Sequence, residues 1–297
     1  MKYSTAGAFR QALEERLRQQ ALKTGIAMFR LRKMVAFDRL LARLAAQDRT
    51  FWILKGGILL QWLVGWRARA TKDIDAEASR TVPVPVLHDL LRQAGSRDLA
   101  DWFQFQVGRS LPAATGAPLG GARFPVLCRL DGRQFERFHL DVGQGDVLVQ
   151  PPREISGPSL LDFADIPPAR VLCYPPEAQI AEKLHAYTRP YRSGESSRVR
   201  DLADILLLAA FARMDGRQLH RAIQATFAAI KSHEVPRQLP APPAAWRAPY
   251  GRIARELMLD WKTLDEAADA ASRFLNPILP AERTAARWQP AKWQWSK

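Results

Sequence analysis

Disulfide chemistry has almost nothing to work with in this chain of 297 residues, whose only cysteines are Cys128 and Cys173. Both sit in apolar, strand-like surroundings without metal-ligand spacing, so they are expected as reduced core thiols. Long hydrophobic runs are missing too. Apolar residues come in short stretches broken by Arg, Asp, Gln or Lys, far from the uncharged run of about 20 residues that a membrane span needs. Met1-Lys2-Tyr3-Ser4-Thr5 leads into a charged helix pattern with no apolar signal core, which argues for a soluble protein of the cytoplasm. The five histidines, His88, His139, His185, His220 and His233, lack metal spacing and read as structural or solvent-facing. Negative charge is scarce: 30 acidic residues against 44 Lys and Arg leave a formal net charge of +14. An excess of this size attracts polyanions, nucleic acid first. The competing explanation is an Arg-rich composition spread over ordinary solvated faces.

What is present is enough apolar material, 47% of residues, for one large core or two modest ones sharing an interface. Ser4 or Thr5 can cap a first helix to about Gln20, with Phe9, Leu13 and Leu17 as its apolar stripe. A second helix follows, carrying Met28, Leu31, Met34, Val35, Leu40, Leu41 and Leu44 inward and Arg30, Arg32, Lys33, Arg39 and Arg43 as a basic outer surface. Phe51-Trp52-Ile53-Leu54 then reads as a strand, Lys55-Gly56-Gly57 as a turn and Ile58 to Val64 as a helix start. Thr71 to Ala76 alternates with period two; Phe103 to Gly108, Arg123 to Leu130 and Arg137 to Val142 are further strand candidates, with Val84 to Arg92 a helix among them. From about Pro175 onward the pattern is helical: a helix started by Pro175-Pro176 and running through Tyr187, then Arg198 to Arg213, Gln218 to Lys231, Tyr250 to Leu259 and Leu264 to Leu275. A loop from Thr188 to Val199, with Arg189 and Arg192, and a proline-rich link from Pro236 to Pro249 interrupt it. The expected fold is α/β (α+β): a helical layer and mixed-sheet core over 1–170, then a helical lobe over 171–297.

Strand alternation places Asp73 and Asp75 on one face, about 6–7 Å apart along the backbone and close enough to share magnesium. Glycines opening a helix let backbone amides approach phosphate oxygens without a Cβ in the way, which suits Gly56 and Gly57. Asp141, in His139-Leu140-Asp141-Val142, is the candidate third carboxylate, as metal ligand or proton acceptor. Lys183 lies on a helix whose stripe is Ile180, Leu184 and Tyr187, so its ammonium can reach a cleft or form a salt bridge with Glu182 or a surface acid. Asp201 and Asp204 also suit a helix N-terminus, and for Asp204 that is the preferred reading. The C-terminal Arg287-Trp288, Lys292-Trp293 and Trp295-Ser296-Lys297 interleave cations with aromatics, either to stack on bases or to pack back onto the domain.

The order of these motifs resembles the polymerase-beta-like nucleotidyltransferase superfamily and, within it, the AbiEii toxin family that includes the MenT-type toxins of mycobacteria. The matching segments are Lys55-Gly56-Gly57, Arg69-x-Thr71-x-Asp73-x-Asp75, Leu140-Asp141-Val142, Ile180 to Ala186 with Lys183, and Arg200-Asp201-Leu202-Ala203-Asp204-Ile205. Two departures stand out: Ile58 replaces the serine often found after the second glycine, and the Gly57 to Asp73 separation is long. The resemblance implies a magnesium-dependent enzyme that moves a nucleoside monophosphate from a nucleoside triphosphate to RNA, the 3′ end of tRNA, arresting translation and restrained by a separate antitoxin protein. It assigns Asp73, Asp75 and Asp141 to the metal, and Lys55, Gly56, Gly57, Arg69, Thr71 and Lys183 to the nucleotide. Asp141 or Asp201 is left as the base. A protein hydroxyl as acceptor, or a catalytically inactive RNA-binding regulator, are the alternatives, and no base-reading residue can be identified.

Overall fold

The computed structural model describes residues 1–111, 120–190, 198–280 and 286–296. Arg192, Ser193, Gly194, Glu195, Ser196 and Ser197 of the expected loop, and the terminal Lys297, lie outside the described residues. The chain forms two compact units, each assembled from separate pieces: Met1–Trp62, Ala70–Gly145 and Arg153–Cys173 in the first; Leu63–Arg69, Asp146–Pro152 and Tyr174–Lys297 in the second.

The first unit begins with helix α1 (Ala6–Thr24). The Thr5 hydroxyl accepts from the Ala8 amide at 3.2 Å, and Phe9, Leu13 and Leu17 are buried as their spacing predicts. Helix α2 (Met28–Gln47) corrects the sequence reading, because Arg39 and Arg43 are not part of a basic outer surface. Both are buried. Arg43 donates to the two Asp101 oxygens at 2.9 and 2.6 Å and to the Phe103 carbonyl at 2.7 Å. Arg39 pairs with Asp38 and donates to the Pro167 carbonyl at 2.7 Å. The helical pattern identified an apolar stripe, but α2 is covered on more than that stripe, and partner carboxylates make the extra burial of charge tolerable.

Strands β1 (Trp52–Lys55), β2 (Ile74–Ala78), β3 (Phe103–Val107), β4 (Gly121–Leu130), β5 (Arg133–Gln144), β6 (Arg153–Ser156) and β7 (Arg170–Cys173) form one sheet in the order β3-β4-β5-β2-β1-β7-β6. The β2/β5 and β1/β7 pairs are parallel and the others antiparallel, the mixed sheet expected. β6 and β7 were not legible in the sequence: four residues each are too few for alternation to stand out. Helix α3 (Gly56–Val64) leaves β1 without an intervening loop, and α4 (Val84–Gly95) follows β2. Cys128 on β4 and Cys173 at the end of β7 are free and buried, and burial pushes both thiols up, Cys173 to about 11.

The second unit contains α5 (Pro176–Thr188), α6 (Val199–Phe211), α7 (Gly216–Ile230), α8 (Arg247–Glu256) and α9 (Leu264–Leu275). It closes with a hairpin of β8 (Arg287–Gln289) and β9 (Gln294–Ser296), in which Trp288 faces Trp295. Trp288 is buried, and its indole N–H donates to the Ala209 carbonyl at 2.6 Å. The C-terminal tryptophans therefore pack back, though Trp293 and Trp295 keep part of their surface open. Among the described residues no helix is long and apolar enough to cross a membrane.

Candidate active site

Register assembles a row of charge across four strands of the first unit. Lys55 on β1 stands opposite Asp75 on β2, Asp75 opposite Asp141 on β5, and Asp141 opposite Arg123 on β4. Residues directly opposite in a sheet share a face, so two carboxylates lie side by side with a cation at each end. Arg123 donates to both Asp141 oxygens at 2.7 Å, and its guanidinium also lies 3.8 Å from Asp73. That hydrogen bond to Asp141 raises the Arg123 pKa above its ordinary value. Asp73, Asp141 and Arg123 each keep about 30% side-chain exposure (27, 28 and 32%), enough to reach a ligand from solvent.

Asp73 is not a strand residue as the alternation suggested, because β2 begins at Ile74 and Asp73 occupies a bend before it. The β2/β5 ladder starts at Ile74↔Leu140, and just beyond it the Asp73 carboxylate accepts from the His139 amide at 3.1 Å. The His139 ring contacts the same oxygen at 3.2 Å, which places this histidine beside Asp73. The Thr71 hydroxyl donates to the Asp73 carbonyl at 3.1 Å and helps shape the bend.

The glycine turn serves Asp75 directly. Gly56 has φ +67°, and a Cβ there would lie 2.2 Å from an Asp75 oxygen; the Gly57 amide donates to that same oxygen at 3.4 Å. Lys55 lies 3.1 Å from Glu77, which is buried two residues beyond Asp75 on the same face. Gly143, opposite Glu77, makes room for this pair: a Cβ would lie 2.5 Å from Glu77 and 3.3 Å from the Lys55 ammonium. Arg123, His139 and Glu77 were missed in the sequence. Glu77 shares the Asp75 period and His139 the Asp141 period, but Arg123 needs the β4/β5 register.

Lys183, Asp201 and Arg69 come together elsewhere, in the second unit. Lys183 lies 3.0 Å from both Asp201 and Asp204, and Arg198 lies 3.0 Å from Asp201. Arg69 donates from Nε and from Nη2 to Asp204, each at 3.2 Å. Asp204 is therefore no helix-terminal surface carboxylate: it is fully buried between two cations. Burial alone pulls the Lys183 pKa down, but Asp204 and Asp201 outweigh it and hold the ammonium above its ordinary value. Burial likewise opposes ionisation of Asp204, and Lys183 and Arg69 overcome it. The motif Arg69-x-Thr71-x-Asp73-x-Asp75 is thus divided, with Arg69 in the second unit and the rest in the first.

Magnesium takes hard oxygen ligands and commonly uses one or two carboxylates, the remainder being phosphate and water. Asp73 and Asp75 fit that chemistry. Among the described residues, however, no group of three His, Cys, Asp or Glu stands ready as a metal cage, and Asp141 is held by Arg123.

A strand running through a glycine turn into a helix, with an acidic strand beside it in a mixed sheet, is the architecture of a nucleotidyltransferase. The chain belongs to the AbiEii nucleotidyl transferase toxin family of type IV toxin–antitoxin systems, whose profile matches residues 39–274. Its fold is similar to that of MenT4, a nucleotidyltransferase toxin from Mycobacterium tuberculosis H37Rv: 19% identity, 91% of this chain and 99% of that one covered, TM-score 0.54. A candidate nucleotidyltransferase from H. pylori matches over 88% of this chain and 96% of its own, at 16% identity and TM-score 0.43. No curated protein matches the sequence.

Proposed function

We propose that this toxin transfers a nucleoside monophosphate from a nucleoside triphosphate to RNA, with the 3′ end of tRNA as acceptor and arrested translation as the result. The observation that carries the reading is the row Lys55–Asp75–Asp141–Arg123, with Asp73 beside Arg123: paired carboxylates on an accessible sheet face, bounded by cations. Asp73 and Asp75 would hold magnesium, which when bound neutralises phosphate charge and favours ionisation of the attacking hydroxyl.

The remaining steps belong to the chain's own residues. Arg123 keeps Asp73 and Asp141 from repelling each other before substrate arrives, then is available to triphosphate oxygens. Asp75, once engaged, frees the Gly57 amide for a phosphate oxygen. Lys55 lies beside that turn as a further cation. In the second unit, Lys183 and Arg69 carry the charge to bind phosphate. The acceptor hydroxyl attacks the α-phosphorus in line, the new O–P bond replaces the α–β bridge, and pyrophosphate leaves. Asp141 is the favoured proton acceptor; Asp201, tied to Lys183 and Arg198, is the alternative. An antitoxin protein is the expected restraint.

Incubation with each labelled nucleoside triphosphate, magnesium and total cellular RNA, resolved on a gel, tests this. Label in the tRNA band supports the reading. Label in protein would transfer the activity to a side-chain hydroxyl, and no label in any band would leave an RNA-binding regulator.

A further inference from the structure

A surface pocket of about 630 Å³ in the second unit is lined by Arg237, Gln238, Arg273, Asn276, Trp293 and Trp295 among others. Its size falls within the range of small-ligand sites. Arg237 and Arg273 are exposed, and neither has an ion-pair partner among the described residues. The indole N–H of Trp293 donates to the Ala270 carbonyl at 3.1 Å and that of Trp295 to the Phe274 carbonyl at 2.7 Å. Both donors are thus spent inside the fold, and what the tryptophans offer the pocket is ring surface. The rings are also fixed: Trp295 stacks on Phe274 at 5.6 Å, and Trp293 packs against Trp261 at 4.5 Å.

We propose that this pocket binds single-stranded RNA, the two guanidiniums meeting consecutive phosphates and the indole surface taking a base. Rigid aromatic surface beside unpaired guanidiniums is the combination by which single strands are held without sequence readout, since every base has a face to stack and every linkage a charge. Arg suits the phosphate part through its planar fork of donors. The pocket would hold the acceptor strand, so the inference rests on RNA being the acceptor.

Binding measured without nucleoside triphosphate separates the two. The full-length protein is titrated into a fluorescently labelled, unstructured oligoribonucleotide at several salt concentrations, and the Arg237→Glu/Arg273→Glu variant is compared. Both positions are exposed, so the variant is expected to fold, and its far-UV circular dichroism is recorded alongside. The expected result is affinity weakened roughly tenfold or more and a log–log salt slope shallower by about 1.4, the share of two single-strand phosphates. Trp293→Phe, which retains a ring, should bind within about threefold of wild type, whereas Trp293→Leu should lose more. Unchanged affinity and salt slope in the charge-reversed variant would overturn the proposal, as would binding of a free nucleoside monophosphate at this pocket in preference to the oligonucleotide. If transfer fails but this binding behaves as described, the fault lies with the catalytic reading and not with the pocket.

Discussion

Two charge clusters in this protein use nearly the same ingredients to different ends. In the first unit, Lys55, Asp75, Asp141 and Arg123 form a row on a sheet, and the Asp141–Arg123 end of it is about 30% exposed. In the second, Lys183 and Arg69 enclose Asp204, a carboxylate with no exposure at all, and Lys183 also pairs with Asp201. Ion-pair distances are similar, but the surroundings differ, and surroundings set the energies. An accessible pair is worth about 0–1 kcal/mol and can be exchanged for a ligand. A buried pair is costly to break, because the partner left behind is a charge without water. The first cluster can give up its pairings to a substrate; the second is built to keep them, and through them it keeps Lys183 charged.

The comparison breaks most visibly at Asp204. Asp204→Ala leaves Lys183 and Arg69 facing one another without their shared counter-ion and is expected to cost about 3–5 kcal/mol, read as a lowered urea midpoint. A midpoint equal to wild type would remove the distinction between the clusters.

Acidification sharpens it next. His185, also in the second unit, is buried 4.7 Å from His233 and shares a hydrogen bond with Ser232; burial, with His233 and Arg189, lowers its pKa to about 4. Because the folded value lies below the ordinary 6.5, the unfolded chain binds more protons between the two. This contribution is present above pH 6.5 and is lost as pH falls toward 4, by on the order of 2 kcal/mol. Denaturation at pH 7 and at pH 4.5 should show the loss, and His185→Phe should flatten it.

Much of the frame behind these clusters could be read directly. The Thr5 cap, the stripe Phe9-Leu13-Leu17, the turn at Gly56 and the helix Leu264–Leu275 each follow from residues close together in sequence. What could not be read depends on distant partners. Arg39 and Arg43 fit a solvated helix face until Asp38 and Asp101 are seen beside them. Asp204 fits a helix start until Arg69 arrives from 135 residues away. Asp73 fits a strand until the β2/β5 ladder starts one residue later. At the site, Asp75 and Asp141 carried a local signal, whereas Arg123 entered only through register.

Smaller effects are expected in the first unit. Gly56→Ala must adopt φ +67° and brings a Cβ against Asp75. A cost of about 1–2 kcal/mol is expected, with nucleotide transfer abolished because Asp75 is displaced. Transfer at wild-type rate in this variant would mean that Asp75 is not a ligand. Arg123→Gln should change stability by less than about 1 kcal/mol. It should also tighten magnesium binding several-fold by removing a competing cation, as calorimetric titration would detect.

The most direct test of the account is Asp75→Asn, its thermal unfolding followed with and without magnesium and nucleoside triphosphate. The account predicts a midpoint at or above wild type without ligands, no upward shift when they are added, and no transfer to RNA. Loss of stability on the scale expected for Asp204→Ala, or transfer near the wild-type rate, would contradict it.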